Sequence, residues 1–261
     1  MHRPADLVQH DVVQLDVRHV AGDVCDADLP VVNGTDHSPW FGGTTFSMRH
    51  LATDYPFITL HCWPYFTGCM EYGTVDDPPS LNLAAFMAQF VRAWTAEPGS
   101  KKPVWLQEFG CCDLWAESDR QERYLRHTVA SAVASGVTHL TFWCSHDKTD
   151  AVRFCKDEYH FGLIDTANKL KPLGQAYREI IRQCRNDVVP PFQPACDCIM
   201  SIPDDFVPRY RKATPPATWI EQQASSTLWD IYRTYLRLLA EGRSPKLRLS
   251  HGDDIEIAST E

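Results

Sequence analysis

From Leu29 to Cys184, short runs dense in Val, Ile, Leu, Phe, Trp and Thr alternate with helical patterns. That rhythm predicts βα units around a parallel sheet. The runs are Leu29 to Asp36, Pro56 to Trp63, Pro103 to Gly110 and Gly136 to Cys144; their near-continuous apolar character is what strands buried on both faces require. Between them, Leu83, Met87, Phe90 and Trp94 recur at helical spacing ahead of Pro98 and Gly99, which predicts one covering helix. Tyr124, Leu125, Thr128, Val129, Ala132 and Val133 repeat the pattern before Gly136, a glycine suited to ending a helix. Val13, Val17, Val20 and Val24 predict a further covering helix over about 5–24, with no strand ahead of it. The chain reads as beginning mid-fold.

After Cys184, Pro190, Pro191 and Pro194 break regular structure and predict a linker. Beyond it come a strand-like run at Ala195 to Ile202, a helix carrying Leu228, Ile231, Tyr232, Tyr235, Leu238 and Leu239 on one side, and a short strand at Lys246 to Ser250. Residues 1–187 therefore form one predicted domain, and 188–261 a linker plus a small βαβ extension. Such an extension is too small to be comfortable alone and is expected to lean on the first domain.

The chain has 261 residues, 44% hydrophobic and 23% charged, an ordinary globular mixture. Lys and Arg total 25 against 34 Asp and Glu, so neither nucleic acid nor an anionic membrane is an expected partner. No stretch approaches the roughly 20 apolar residues of a membrane span, and no export signal is visible. A cytoplasmic location is expected if Met1 is the true start. The ten cysteines lack zinc-site spacing; no metal or cofactor is expected, and the thiols read as small buried residues.

Chemistry is concentrated where the runs end. Pro103-Val-Trp-Leu-Gln-Glu-Phe-Gly110 delivers Glu108 at the carboxyl end of an apolar strand, next to a Gly turn; substrates of barrel enzymes bind at that end of the sheet. Phe57 to Tyr65 delivers His61, Trp63 and Tyr65 to the same rim. There an imidazole or phenol can hold a carboxylate ionised, and aromatic faces can carry sugar rings. His139 to Asp147 contributes Trp143 and His146, and the first run contributes Asn33 and Asp36.

This set resembles the C-terminal half of the retaining (β/α)8 glycoside hydrolases of clan A, particularly the family 5 cellulase and mannanase group. The resemblance covers roughly residues 5 to 185. It implies an α/β fold, a partial TIM barrel of about four βα units corresponding to strands 5 to 8. It also implies that Glu108 in Leu106-Gln-Glu-Phe-Gly110 is the nucleophile, that His61 matches the sixth-strand His, and that Trp143 matches the platform Trp of the eighth strand. Phe161-Gly-Leu-Ile-Asp165 followed by Lys169-Leu-Lys-Pro172 resembles the final loop and helix of these enzymes.

Two departures stand out. The family's His-x-Tyr is here His61-Cys62-Trp63, so either Trp63 or Tyr65 takes the Tyr's place. The family's acid/base is a Glu after Asn, and the chain contains no Asn-Glu pair. The expected function is retaining hydrolysis of a β-linked oligo- or polysaccharide, with the acid/base strand outside the chain and a homodimer or a missing N-terminal half completing the barrel. Two alternatives stand beside it: a noncatalytic carbohydrate-binding remnant, and a metal-dependent barrel hydrolase using His61, His146 and Asp147.

Overall fold

Strand β1 (Ile58–Cys62) is buried at every position, as expected of an apolar run covered on both faces. It pairs in parallel with β2 (Val104–Phe109), which pairs in parallel with β3 (Val137–Phe142). The computed structural model describes residues 32–34, 36–42, 46–95, 102–149, 156–185, 196–212, 218–252 and 254–259. The helix expected over 5–24 and the Pro190 to Pro194 linker lie outside them. Three of the four expected runs are thus strands of one sheet.

Of the remaining run, Leu29 to Asp36, the described residues, 32–34 and 36, belong to no strand, which corrects the expectation for those positions. Asn33 instead accepts a hydrogen bond from the Thr59 hydroxyl of β1. Asp36 Oδ1 accepts from the Ser38 backbone N–H at 2.8 Å, and the chain passes into a short helix α1 (Ser38–Phe41) with a proline in its first turn. Asp36 and Pro39 suit the turn and helix start that follow the run.

Helix α2 (Met48–Thr53) precedes β1, and α3 (Pro78–Leu81) leads into α4 (Leu83–Ala93). Leu83, Phe86, Met87, Phe90 and Val91 of α4 are all buried, with Trp94 capping the end. Helix α5 (Ser118–Ala134) buries Tyr124, Leu125, Thr128, Val129 and Ala132. Gly136 follows with φ +83°, and the Arg92 guanidinium donates to the carbonyls of Ser135, at 2.8 Å, and Gly136. Helix α6 (Pro172–Arg185) places Tyr177 against Phe142, with ring centroids 5.4 Å apart.

Beyond residue 195, β4 (Cys198–Pro203) lies between parallel β5 (Pro245–Ser250) and antiparallel β6 (Glu256–Ser259). The sequence pattern misses β6 because it is a short edge strand exposed at every position, so it carries no apolar alternation. It also misses α7 (Trp219–Ala224), although Thr218 and Glu221 form a capping box, a signal readable as Thr-x-x-Glu. Helix α8 (Leu228–Ala240) lays Tyr232 on Phe86 of α4 at 4.5 Å between centroids. One hydrophobic core includes Phe86, Met87 and Phe90 together with Met200, Ile202, Trp229 and Tyr232.

Candidate active site

The register between β1 and β2 sets the geometry. Leu60 pairs with Leu106, but His61 pairs with Glu108, so the ladder skips Gln107. Such a bulge re-aims side chains at a strand end. It brings two residues of β2 to one imidazole: His61 Nδ1 lies 3.4 Å from Glu108 Oε2, and His61 Nε2 lies 3.1 Å from Gln107 Oε1. Which ring nitrogen donates follows from the tautomer and from the orientation of the Gln107 amide.

Trp63, just past β1, donates its indole N–H to the same Glu108 Oε2 at 3.3 Å. Trp63, and not Tyr65, therefore makes the contact with the carboxylate. Tyr65 packs on Trp115, 5.5 Å between centroids with planes 32° apart. Trp63 is 4% exposed and is wedged against Phe66, Trp115 and Phe161 at 5.8, 6.2 and 4.7 Å. Gly110 is the point of closest approach: a Cβ there would meet the Trp143 carbonyl oxygen at 2.8 Å and the Trp63 ring at 3.0 Å.

Trp143 is half-buried. Its backbone N–H donates to Phe109 at 3.1 Å, its peptide to Cys144 is cis, and Lys148 Nζ stands 5.4 Å from its ring centroid. The structure thus gathers Glu108, His61, Trp63 and Trp143 around the ends of β1, β2 and β3. The other expected site residues sit in different surroundings. Asn33 is held by Thr59, exposed Asp36 accepts from the Ser38 N–H ahead of α1, and exposed His146 lies beside the Ser145 hydroxyl at 3.2 Å. Asp147 receives Lys171 Nζ at 3.0 Å and the Gly162 N–H at 2.7 Å.

His61, His146 and Asp147 do not converge, and among the described residues no cluster of three His, Cys, Asp or Glu side chains fit to hold a metal ion occurs. Cysteine chemistry is disfavoured too, since burial pushes the Cys112 thiol up to about 12 and raises Cys62 and Cys111 as well.

Sequence reasoning missed several neighbours. Gln107 enters only through the bulge, which no sequence period announces. His37 is 3% exposed with Nε2 unpartnered. Burial pushes its pKa down to about 4, with His61 adding to the effect and Asp36 opposing it. Trp219 reaches His37 from the C-terminal segment, 5.0 Å between centroids.

No protein-family model and no curated protein matches the chain. Solved structures do, and they define the class: an α/β fold of parallel βα units similar to part of the TIM barrel of family 5 glycoside hydrolases. A GH5_18 structure from Streptomyces cattleya in complex with GlcNAc matches with TM-score 0.68 and 22% identity, covering 84% of this chain and 50% of that one. A GH5_18 structure from Bifidobacterium longum subsp. infantis matches with TM-score 0.62 and 25% identity, covering 82% and 48%. An exo-β-1,4-mannosidase from Opitutaceae bacterium strain TAV5 matches with TM-score 0.62 and 17% identity, covering 89% and 41%. The chain spans about half the length of the GH5_18 structures it matches. The coverage of this chain is larger than residues 1–187 alone can supply, so the likeness extends into the C-terminal segment.

Proposed function

We propose that the chain carries the nucleophile side of a retaining β-glycosidase site, with Glu108 as the nucleophile. The observation behind this reading is the pair of donors on one oxygen: His61 and Trp63 both face Glu108 Oε2, at the strand end where barrel enzymes work. The Glu108 carboxylate attacks the anomeric carbon, the bond to the departing oxygen breaks, and a glycosyl ester forms that water then hydrolyses. His61 and Trp63 orient the carboxylate. Trp143 offers an indole to the sugar face.

The acid/base carboxyl group that such a mechanism also uses contributes about 10² to 10⁴ in rate. A leaving group that departs without a proton bypasses it. Some of the matched structures hold Manβ1-4GlcNAc, which makes a β-mannoside the first choice of probe.

The test is incubation of the chain with the 2,4-dinitrophenyl 2-deoxy-2-fluoro-β-mannoside, followed by peptide mass spectrometry. A fluoromannosyl adduct on the Glu108 peptide, absent from Glu108→Gln, is expected. Binding of the probe with no adduct would refute the nucleophile role. The aromatic surface around Trp63 supports a second reading, noncatalytic saccharide binding, under which Glu108→Gln leaves sugar affinity intact and wild type is never labelled.

A further inference from the structure

Trp219 is the first residue of α7 and is 43% exposed. Single exposed indoles are unremarkable in general, but this one is joined to the strand-end site by a chain of rings. It packs on buried His37 at 5.0 Å and on Phe66 at 6.0 Å. Phe66 packs in turn on Trp63 at 5.8 Å, and Trp63 holds Glu108.

The segment that carries it is firmly seated. Gly68 adopts φ +81°, and a Cβ there would lie 2.7 Å from the Ala224 backbone nitrogen. Only a glycine in this left-handed conformation lets α7 approach the loop so closely. Tyr72 Oη donates to the Ala224 carbonyl at 2.7 Å, and the capping box of Thr218 and Glu221 fixes the first turn of α7. An aromatic side chain held rigidly, with rings beneath it and solvent on its remaining surface, is suited to stacking against the C–H face of a sugar.

We propose that Trp219 is an outer sugar platform contributed by the C-terminal segment. It binds the ring adjacent to the one over Glu108 and makes the site selective for a β-linked disaccharide or longer chain over a monosaccharide. The proposal rests on the saccharide reading of the Glu108 site. Two ring contacts, with Phe66 between them, separate Trp219 from Trp63, and Trp219 is accordingly assigned the ring next to the one over Glu108.

The experiment measures affinity of the chain for Manβ1-4GlcNAc and for methyl β-mannoside by calorimetry, in wild type, Trp219→Leu and Trp219→Phe. The ratio of disaccharide to monosaccharide affinity is expected to fall about three- to tenfold in Trp219→Leu, the range that one aromatic contact commands. Trp219→Phe, which restores a ring, is expected to recover most of it. An unchanged ratio in Trp219→Leu overturns the proposal, as does an equal loss for both sugars, which would mark a packing residue. Binding of neither sugar by wild type overturns it together with the saccharide reading. A normal ratio effect with no labelling of Glu108 leaves the platform standing and removes only the nucleophile role.

Discussion

Trp63 Nε1 and Glu108 Oε2 lie 3.3 Å apart, joining the strand end of β1 to that of β2 through a ring that is almost wholly buried. The indole has one donor and no acceptor, so this contact has a fixed direction. Burial against Phe161 and Trp115 holds the donor in place, so Glu108 is oriented by packing as well as by charge.

Trp63→Phe removes that donor while leaving an aromatic ring in the pocket. The rate of Glu108 labelling by the activated fluoromannoside is expected to fall about tenfold, the equivalent of about 1.4 kcal/mol. The thermal midpoint should fall by a few degrees for loss of a hydrogen bond to a charged group plus some ring volume. An unchanged labelling rate in a folded variant would remove Trp63 from the site.

Gly110→Ala tests the same junction from the backbone. Its new methyl would press on the Trp143 carbonyl and the Trp63 ring, at 2.8 and 3.0 Å, and neither is the free end of a flexible side chain. Overpacking of this kind costs about 1 to 3 kcal/mol. Chemical denaturation should show that loss, and labelling should slow because Trp63 is displaced from Glu108. Full stability in Gly110→Ala would mean that the two strand ends are not in close contact.

The parallel strands and their covering helices were legible because long apolar runs and helical spacing survive any detail of packing. Ile58–Cys62, Val104–Phe109 and Val137–Phe142 fall within the runs read from the sequence. Glu108, His61 and Trp63 were legible as strand-end residues. Their mutual contact was not, since it depends on the skipped residue Gln107. The described residues of the first run, 32–34 and 36, form no strand, and the Asp36 and Pro39 turn chemistry that follows leads into α1. Trp219 was illegible as a rim residue because nothing local to Thr218-Trp-Ile-Glu221 says which distant loop it will meet.

Asp147 lies close in sequence to Trp143, yet its surroundings are those of a structural group. Its carboxylate and Lys171 Nζ are 9% and 10% exposed and 3.0 Å apart, and it also accepts the Gly162 N–H. Lys171 keeps Asp113, at 2.8 Å, as a second partner. Asp147→Asn is therefore expected to lower stability by about 2 kcal/mol, less than breaking an isolated buried pair. Labelling of Glu108 in the folded fraction should be unaffected. A labelling defect with no loss of stability would return Asp147 to the chemistry.

His37 gives the fold a distinctive acid sensitivity. Burial pushes its pKa down to about 4 from an ordinary value of 6.5, so the unfolded chain binds a proton at this residue that the native chain refuses. Stability must then rise with pH between about 4 and 6.5 and be progressively lost as pH falls through that window. The loss expected by pH 4 is on the order of 3 kcal/mol. Carboxylates held low by arginines, Asp76 and Asp230, act with the same sign, their contribution fading from about pH 5 downward, in the acid part of this window. His127, also lowered by burial, contributes within it, and the comparison that isolates His37 is wild type against His37→Phe. The variant should lose a substantial part of the stability difference between pH 7 and pH 4.5, read by urea denaturation at each pH. Parallel curves for the two proteins would show that the His37 ring is not kept neutral by its surroundings.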